Sequence, residues 1–212
     1  MRTIQRTYTL YTLAELSPQA RLQAYDDWLR RPPEYVFAAD NNRTLEAFCD
    51  LFGVQCRDWH YDASGHGFRF DTDYSDQELN LSGGRLLSLL YNRFGRHLFP
   101  PKIYWSRDLR KKRHSRIFTD TGCPLTGFWL DDQILSPIYG FLKRPDRRTF
   151  FMLLHECLDS FFEACSQDCD YCTNEEYFKQ ESDANEYEYL ENGKWFSEGN
   201  TCQYGRFKQE TK

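Results

Sequence analysis

The amino-acid sequence predicts an α+β fold, with helices packed on a small antiparallel sheet and a long C-terminal helix followed by a β-hairpin. Three observations lead to this prediction. Apolar residues recur every three or four positions in some segments, alternate with polar residues in others, and are separated by glycine- and proline-containing turns. A chain of 212 residues, 17% of them aromatic, can bury a sizeable core. We therefore expect a single α+β domain over residues 1–212.

The N-terminal elements are predicted to be one strand and two helices. Alternation over residues 3–12 is typical of a strand. Ser17 followed by Pro18 has the pattern of an N-cap with proline at the first helical position. Apolar spacing predicts a second helix over 43–52, which Gly53 would terminate.

The middle of the chain is predicted to contain a β-hairpin and a helix. Residues 54–61 and 68–74 alternate with period two, and glycine-containing residues 63–67 join them. A leucine-rich helix over 86–98 and a short strand over 103–105 are expected next.

The C-terminal half is predicted to be mostly helical. One helix should begin near Asp131, and the longest helix near Asp146. Capping-box spacing at Thr173 predicts a further helix. The pair Asn192-Gly193 has the composition of a type I′ turn and predicts the final β-hairpin.

The N-terminus and the cysteines bear on localisation. Residues 1–13 lack the apolar run of a signal peptide or a membrane span, so we expect a cytoplasmic protein without membrane contact. The eight cysteines are then expected to be reduced thiols.

Charge is segregated along the chain. The formal net charge is −5, but residues 156–191 contain twelve acidic residues against one lysine, which defines an acidic helical region. These carboxylates could form a solvated helix face, or they could bind a basic surface on a partner, including a nucleic-acid-binding groove occupied by charge mimicry. The candidate partner-binding residues are Glu156, Asp159, Glu163, Asp170, Glu175 and Glu176.

Residues 102–116 form a basic segment with the opposite charge. Its bases could contact phosphates while an aromatic ring stacks on a base, or they could pair with the acidic region of the same chain. The candidate nucleic-acid-binding residues are Trp105, Arg107, Arg110, Lys111, Lys112, Arg113 and Arg116.

Catalytic and metal motifs are sparse, so we expect neither an enzyme nor a bound cofactor. Cys165, Cys169 and Cys172 have the spacing of an iron–sulfur loop, and His155, Cys157 or Cys202 could complete a zinc site. Their spacing also fits packed thiols on one helix face. His60 and His66, near Asp58 and Asp62, are further candidates for metal binding or acid–base work.

Three short segments form a further pattern: the Glu-Leu-Ser helix start in 13–20, the segment 127–132, and the Asn-Glu-Tyr-Glu stretch leading to a Gly-Lys turn in 184–194. Together they resemble a widespread family of small proteins encoded by phages and other mobile elements. Such proteins look like accessory proteins and are loosely labelled antitoxins or anti-defence proteins. The resemblance implies a binding protein that acts inside a bacterial cell, and it supplies no catalytic residues.

These observations lead to three hypotheses. The first is a phage or prophage protein that binds and inhibits a host protein, such as a CRISPR effector or another antiviral component. The second is a nucleic-acid-binding regulator or antitoxin that uses residues 107–116. The third is a zinc or iron–sulfur protein that uses Cys165, Cys169 and Cys172.

Overall fold

The computed structural model describes residues 7–31, 35, 37–99 and 123–197, and the backbone of Ile103–Trp105 and Lys112–His114. In these ranges the helices are Pro18–Leu29 (α1), Ala38–Phe52 (α2), Asp76–Leu79 (α3), Gly83–Leu98 (α4), Leu130–Lys143 (α5), Phe150–Thr173 (α6) and Glu175–Ala184 (α7). The strands are Val54–Asp62 (β1), Gly65–Thr72 (β2), Ile103–Trp105 (β3) and Lys112–His114 (β4). The predicted mixture of helix and antiparallel sheet is confirmed.

Capping residues in the sequence determine where α1 begins and where α2 ends. The Ser17 hydroxyl accepts a hydrogen bond from the Ala20 backbone N–H at 3.3 Å, so α1 has the predicted N-cap. Helix α2 ends at Gly53, whose φ of 61° is the left-handed conformation that glycine adopts readily. Helix α2 begins at Ala38, five residues before the predicted start, and Asp40 in its first turn interacts favourably with the helix dipole.

A β-bulge shapes the hairpin of β1 and β2. The antiparallel register shifts between Arg57 and His60, and Asp58 has a φ of 49°. The extra residue reverses the alternation of side chains in the second half of β1. Trp59 and Tyr61 therefore both lie against Phe162 of α6, with ring centroids 5.8 and 6.3 Å away.

The described contacts group the chain into two compact units. Residues 35–169 form the central unit. Its core contains fully buried rings from α2 and α6, such as Phe48, Phe52, Phe150 and Phe162. Each such side chain contributes about 1.5 to 3 kcal/mol to folding through burial. The sequence-based expectation of a single domain stays a prediction.

Residues 1–34 and 170–212 form the terminal unit. Its described core lies around α1 and α7 and includes Leu16, Ala24, Phe178 and Tyr189. The Tyr11 backbone N–H donates to the Tyr189 carbonyl at 2.9 Å, and the Tyr189 N–H donates back at 2.8 Å.

The β-hairpin predicted after the long C-terminal helix is not shown as a pair of strands among the described residues. Helix α6 is followed by α7, and Tyr189 then makes single bridges to Tyr11 and Trp195 instead of a strand ladder. Gly193 has the positive φ, 82°, that the turn prediction required, and a Cβ there would also collide with the Ala20 carbonyl oxygen. Glycine is thus needed for close backbone approach. A strand was also predicted over residues 3–12. Among its described residues, Tyr11 forms a single β-bridge, to Tyr189, instead of a strand ladder.

Candidate partner-binding site

Helix α6 carries three carboxylates on its exposed side. Glu156, Asp159 and Glu163 are three and four residues apart, so they share one face of the helix. Their side chains are 38%, 57% and 55% exposed. Other positions of the same helix, such as Leu154 and Leu158, are fully buried. Packing of that buried face therefore fixes the three carboxylates, which we call the acidic stripe.

One end of the acidic stripe is held by Arg148. Its Nη1 donates to Glu156 Oε2 at 2.7 Å, and its Nε donates to Asp146 Oδ2 at 2.9 Å. The hydrogen bonds from Arg148 lower the pKa of the Asp146 carboxyl below its ordinary value. A single guanidinium thus serves two carboxylates, which leaves a net negative charge in this group.

His66 of β2 lies beside the rest of the stripe. Its Nε2 is 3.1 Å from Asp159 Oδ1, and its Nδ1 is 3.5 Å from Glu163 Oε2. The imidazole stacks at 6.3 Å on the ring of Phe162. His66 was a candidate because of its neighbours in sequence, whereas its partners lie 93 and more residues away. No local signal in the sequence indicates this contact.

The other three candidate acidic residues belong to the terminal unit. Asp170 lies near the end of α6, while Glu175 and Glu176 occupy the first turn of α7. The Asn174 side chain caps that helix by accepting the Tyr177 backbone N–H at 2.8 Å. Carboxylates in a first turn stabilise a helix through its dipole, which gives Glu175 and Glu176 a structural role.

Sequence reasoning missed a fully buried carboxylate, Asp131. Its Oδ2 accepts the backbone N–H groups of Leu125, Thr126 and Gly127 at 2.8, 2.7 and 3.1 Å. Its Oδ1 accepts the hydroxyls of Thr126 at 2.8 Å and Thr44 at 3.4 Å. These bonds fix the turn before α5. A polar turn followed within four residues by an aspartate was the available signal.

Of the three candidate cysteines of α6, Cys165 is buried, whereas Cys169 and Cys172 are half-buried. Cys157 and Cys165 are fully buried, and burial raises the pKa of the Cys165 thiol to about 12. Without a bound metal, such thiols stay protonated at neutral pH. Among the described residues, no group of three or more His, Cys, Asp or Glu side chains could hold a metal ion. Cys202 lies outside those residues.

The basic segment is described only in part. Strands β3 and β4 pair antiparallel, with Tyr104 opposite Arg113 and Trp105 opposite Lys112. This backbone pairing confirms the predicted strand at 103–105. The remaining candidates, Arg107, Arg110, Lys111 and Arg116, lie outside the described residues.

Within the described ranges, no helix has the length and apolar character needed to span a membrane. Comparisons of this chain with protein-family models, curated proteins and solved structures found no match.

Proposed function

We propose that this protein is a non-enzymatic binding protein that inhibits a host protein by docking the acidic stripe on a basic surface. The observation that carries the proposal is the set of three exposed carboxylates, Glu156, Asp159 and Glu163, on one face of a helix whose other face is packed. Because the helix is ordered before binding, little backbone entropy is lost when a partner docks.

An exposed apolar side chain extends the stripe. Met152 lies four residues before Glu156, on the same helix face, and is 47% exposed. Partner-binding surfaces commonly combine an apolar anchor with charged groups at the rim, and methionine is enriched in them. Met152 therefore offers an anchor, while the carboxylates supply electrostatic steering and orientation.

The partner is proposed to be a bacterial antiviral component, such as a CRISPR effector, and the protein to be of phage or prophage origin. This proposal is supported by the resemblance of residues 13–20, 127–132 and 184–194 to phage accessory proteins. The charge of the stripe supports it too, because nucleic-acid-binding grooves are basic and attract carboxylates.

The absence of enzymatic activity is part of the proposal. The buried Asp131 carboxylate is surrounded by five donors, so it is occupied in holding a turn. The Cys157 and Cys165 thiols are buried, and burial raises the pKa of each, which suppresses the nucleophilic thiolate.

The test compares three charge-matched variants in quantitative pull-downs from nuclease-treated bacterial lysate. Glu156→Gln/Asp159→Asn/Glu163→Gln removes the stripe, and Asp170→Asn/Glu175→Gln/Glu176→Gln removes the acids of the terminal unit. The third variant is the control: it replaces Glu186, Glu188 and Glu191, all exposed, with Gln.

The proposal expects a partner captured by the wild type to be depleted about 10-fold or more with the stripe variant, since each exposed ion pair contributes up to about 1 kcal/mol. Capture by the control variant should equal that of the wild type. Equal capture by all variants would refute docking through the stripe. If capture of the partner is lost only with the second variant, the docking surface lies in the terminal unit instead.

A second candidate function is nucleic-acid binding through the basic segment. The antiparallel pairing of β3 with β4 supports it, because a two-stranded ribbon fits the major groove of DNA. Replacing Arg110, Lys111 and Arg113 with Gln should abolish binding to duplex DNA, and wild-type affinity should fall steeply with salt. DNA binding that survives these replacements would eliminate this candidate.

A further inference from the structure

The terminal unit contains a cavity of about 270 Å³ between α1, α7 and the C-terminal segment. Five of its ten described lining residues are aromatic. Trp28 and Phe178 form one pair, with centroids 5.2 Å apart, and Tyr187 and Trp195 form a second, 5.5 Å apart. A cavity of about 150 Å³ already holds a benzene ring, so this one has room for a larger group.

A carboxylate joins the two aromatic pairs. Glu181 Oε2 accepts the indole N–H of Trp28 at 3.2 Å, and Oε1 accepts the hydroxyl of Tyr187 at 3.0 Å. Burial raises the pKa of Tyr187, and its hydrogen bond to Glu181 raises it further, so this hydroxyl remains a donor. A carboxylate has about four acceptor sites, and these two bonds use two of them. Glu181 can therefore accept further hydrogen bonds.

We propose that this cavity binds the guanidinium group of an arginine side chain presented by a partner polypeptide. A planar cation gains both from contact with aromatic rings, of which Trp28 and Trp195 line the cavity, and from hydrogen bonds to carboxylates. Glu181 supplies one carboxylate, and Asp27, which also lines the cavity and whose Oδ1 is paired with Arg30 at 3.3 Å, supplies another acceptor through its Oδ2. The proposal is independent of the acidic stripe, because none of the stripe residues lines this cavity.

Two cationic side chains, Arg31 and Lys194, also line the cavity. Replacing Lys194 provides a control for the sign of the ligand's charge. Arg31 is exposed, so water and salt weaken, without removing, its repulsion of a bound cation. Lys194 is half-buried at the turn beside Trp195. A bound guanidinium would be repelled by Lys194, so Lys194→Gln should tighten binding. An anionic ligand would show the opposite response to this change.

The test is a titration of the full chain, labelled with ¹⁵N, with the capped peptide Gly-Arg-Gly, and the readout is the indole N–H signals. The Trp28 signal is diagnostic because its N–H is bonded to Glu181. The matched peptide carries citrulline, which has nearly the same shape without the charge. We expect saturable shifts with the arginine peptide and at least about 10-fold weaker binding of the citrulline peptide.

Two variants locate the site. Glu181→Gln keeps an acceptor and the side-chain volume while removing the charge, and it should weaken binding of the arginine peptide about 10-fold. Trp195→Ala removes a ring that is 46% exposed, so it should weaken binding without opening the buried core. Trp129→Ala, at a ring 41% exposed in the central unit, is the matched control and should bind as the wild type does.

Three results would overturn the proposal. They are the absence of saturable shifts up to about 10 mM peptide, equal affinity for the arginine and citrulline peptides, or unchanged affinity in both Glu181→Gln and Trp195→Ala. Adenosine is titrated in parallel. If it binds more tightly than the arginine peptide, the cavity binds a neutral heterocycle instead. Unchanged peptide binding by the stripe variant would show that the two surfaces are independent.

Discussion

Replacing Asp131 is the most demanding stability test of the structure. The side chain is fully buried, and its Oδ2 alone accepts three backbone N–H groups from the turn that precedes α5. Asp131→Ala leaves these donors without an acceptor. Each donor that stays buried and unpaired lowers the free energy of unfolding by about 1 to 3 kcal/mol. Thr126 and Gly127 are exposed and can regain hydrogen bonds to water, whereas the Leu125 N–H and the hydroxyl of the fully buried Thr44 are less accessible, so two donors lose their acceptor inside the protein. We expect Asp131→Ala to lower the free energy of unfolding by about 3 to 5 kcal/mol.

Asp131→Asn separates the loss of charge from the loss of the acceptor. The amide oxygen can occupy the position of Oδ2, and the amide nitrogen can donate to the hydroxyls of Thr126 and Thr44. Only the charge-assisted part of each hydrogen bond is then lost. We therefore expect Asp131→Asn to lower the free energy of unfolding by about 1 to 3 kcal/mol. Asp132→Ala is the control, because Asp132 is exposed and its described backbone donor is the Cys123 N–H at 3.1 Å.

The assay is urea denaturation of each variant at pH 7, monitored by tryptophan fluorescence and circular dichroism. The free energy of unfolding of a domain is about 5 to 15 kcal/mol, so a decrease of about 3 to 5 kcal/mol is large enough to measure reliably. The expected order of destabilisation is Asp131→Ala, then Asp131→Asn, then Asp132→Ala. A change below about 1 kcal/mol for Asp131→Ala would refute the interpretation that this carboxylate holds the turn.

Three further predictions concern stability and reactivity. Gly193→Ala should lower the free energy of unfolding by about 1 to 3 kcal/mol, because φ is positive and a Cβ would meet the Ala20 carbonyl; unchanged thermal unfolding would contradict this. Burial raises the pKa of Cys165 to about 12, so Ellman's reagent at pH 8 should modify it only after unfolding; modification of Cys165 itself in the folded protein, located by peptide mass spectrometry, would contradict its burial. Arg148 lowers the folded-state pKa of Asp146 from 3.8, so this contribution to stability is present above 3.8 and is lost as pH falls through the lower folded value. Arg148→Gln should weaken the acid dependence of urea midpoints below pH 4, and an unchanged dependence would count against the pair.

The sequence predicted features that depend on residues close together in the chain. The cap at Ser17 and the helix end at Gly53 need only local backbone geometry and were confirmed. The bulge at Asp58 was missed because alternation alone does not show where an extra residue enters a strand. Gly193 was correctly assigned to a turn, but its essential contact is with Ala20, far away in the chain.

Only the acidic residues of the candidate site could be predicted from the sequence. The spacing of Glu156, Asp159 and Glu163 on a helix is visible in the sequence, and the structure brings them together on an exposed face. The contact of His66 with Asp159 depends on packing of the hairpin against α6, across 93 residues. Tertiary contacts of this kind leave no periodic signal in one sequence.

The measurement that tests the central claim most directly is the affinity of the captured partner for the wild type and for the stripe variant at several salt concentrations. If the carboxylates of Glu156, Asp159 and Glu163 dock on a basic surface, wild-type affinity should fall as salt screens the attraction. The stripe variant should bind more weakly and show a flatter dependence. Equal affinities with equal salt dependence would contradict the account.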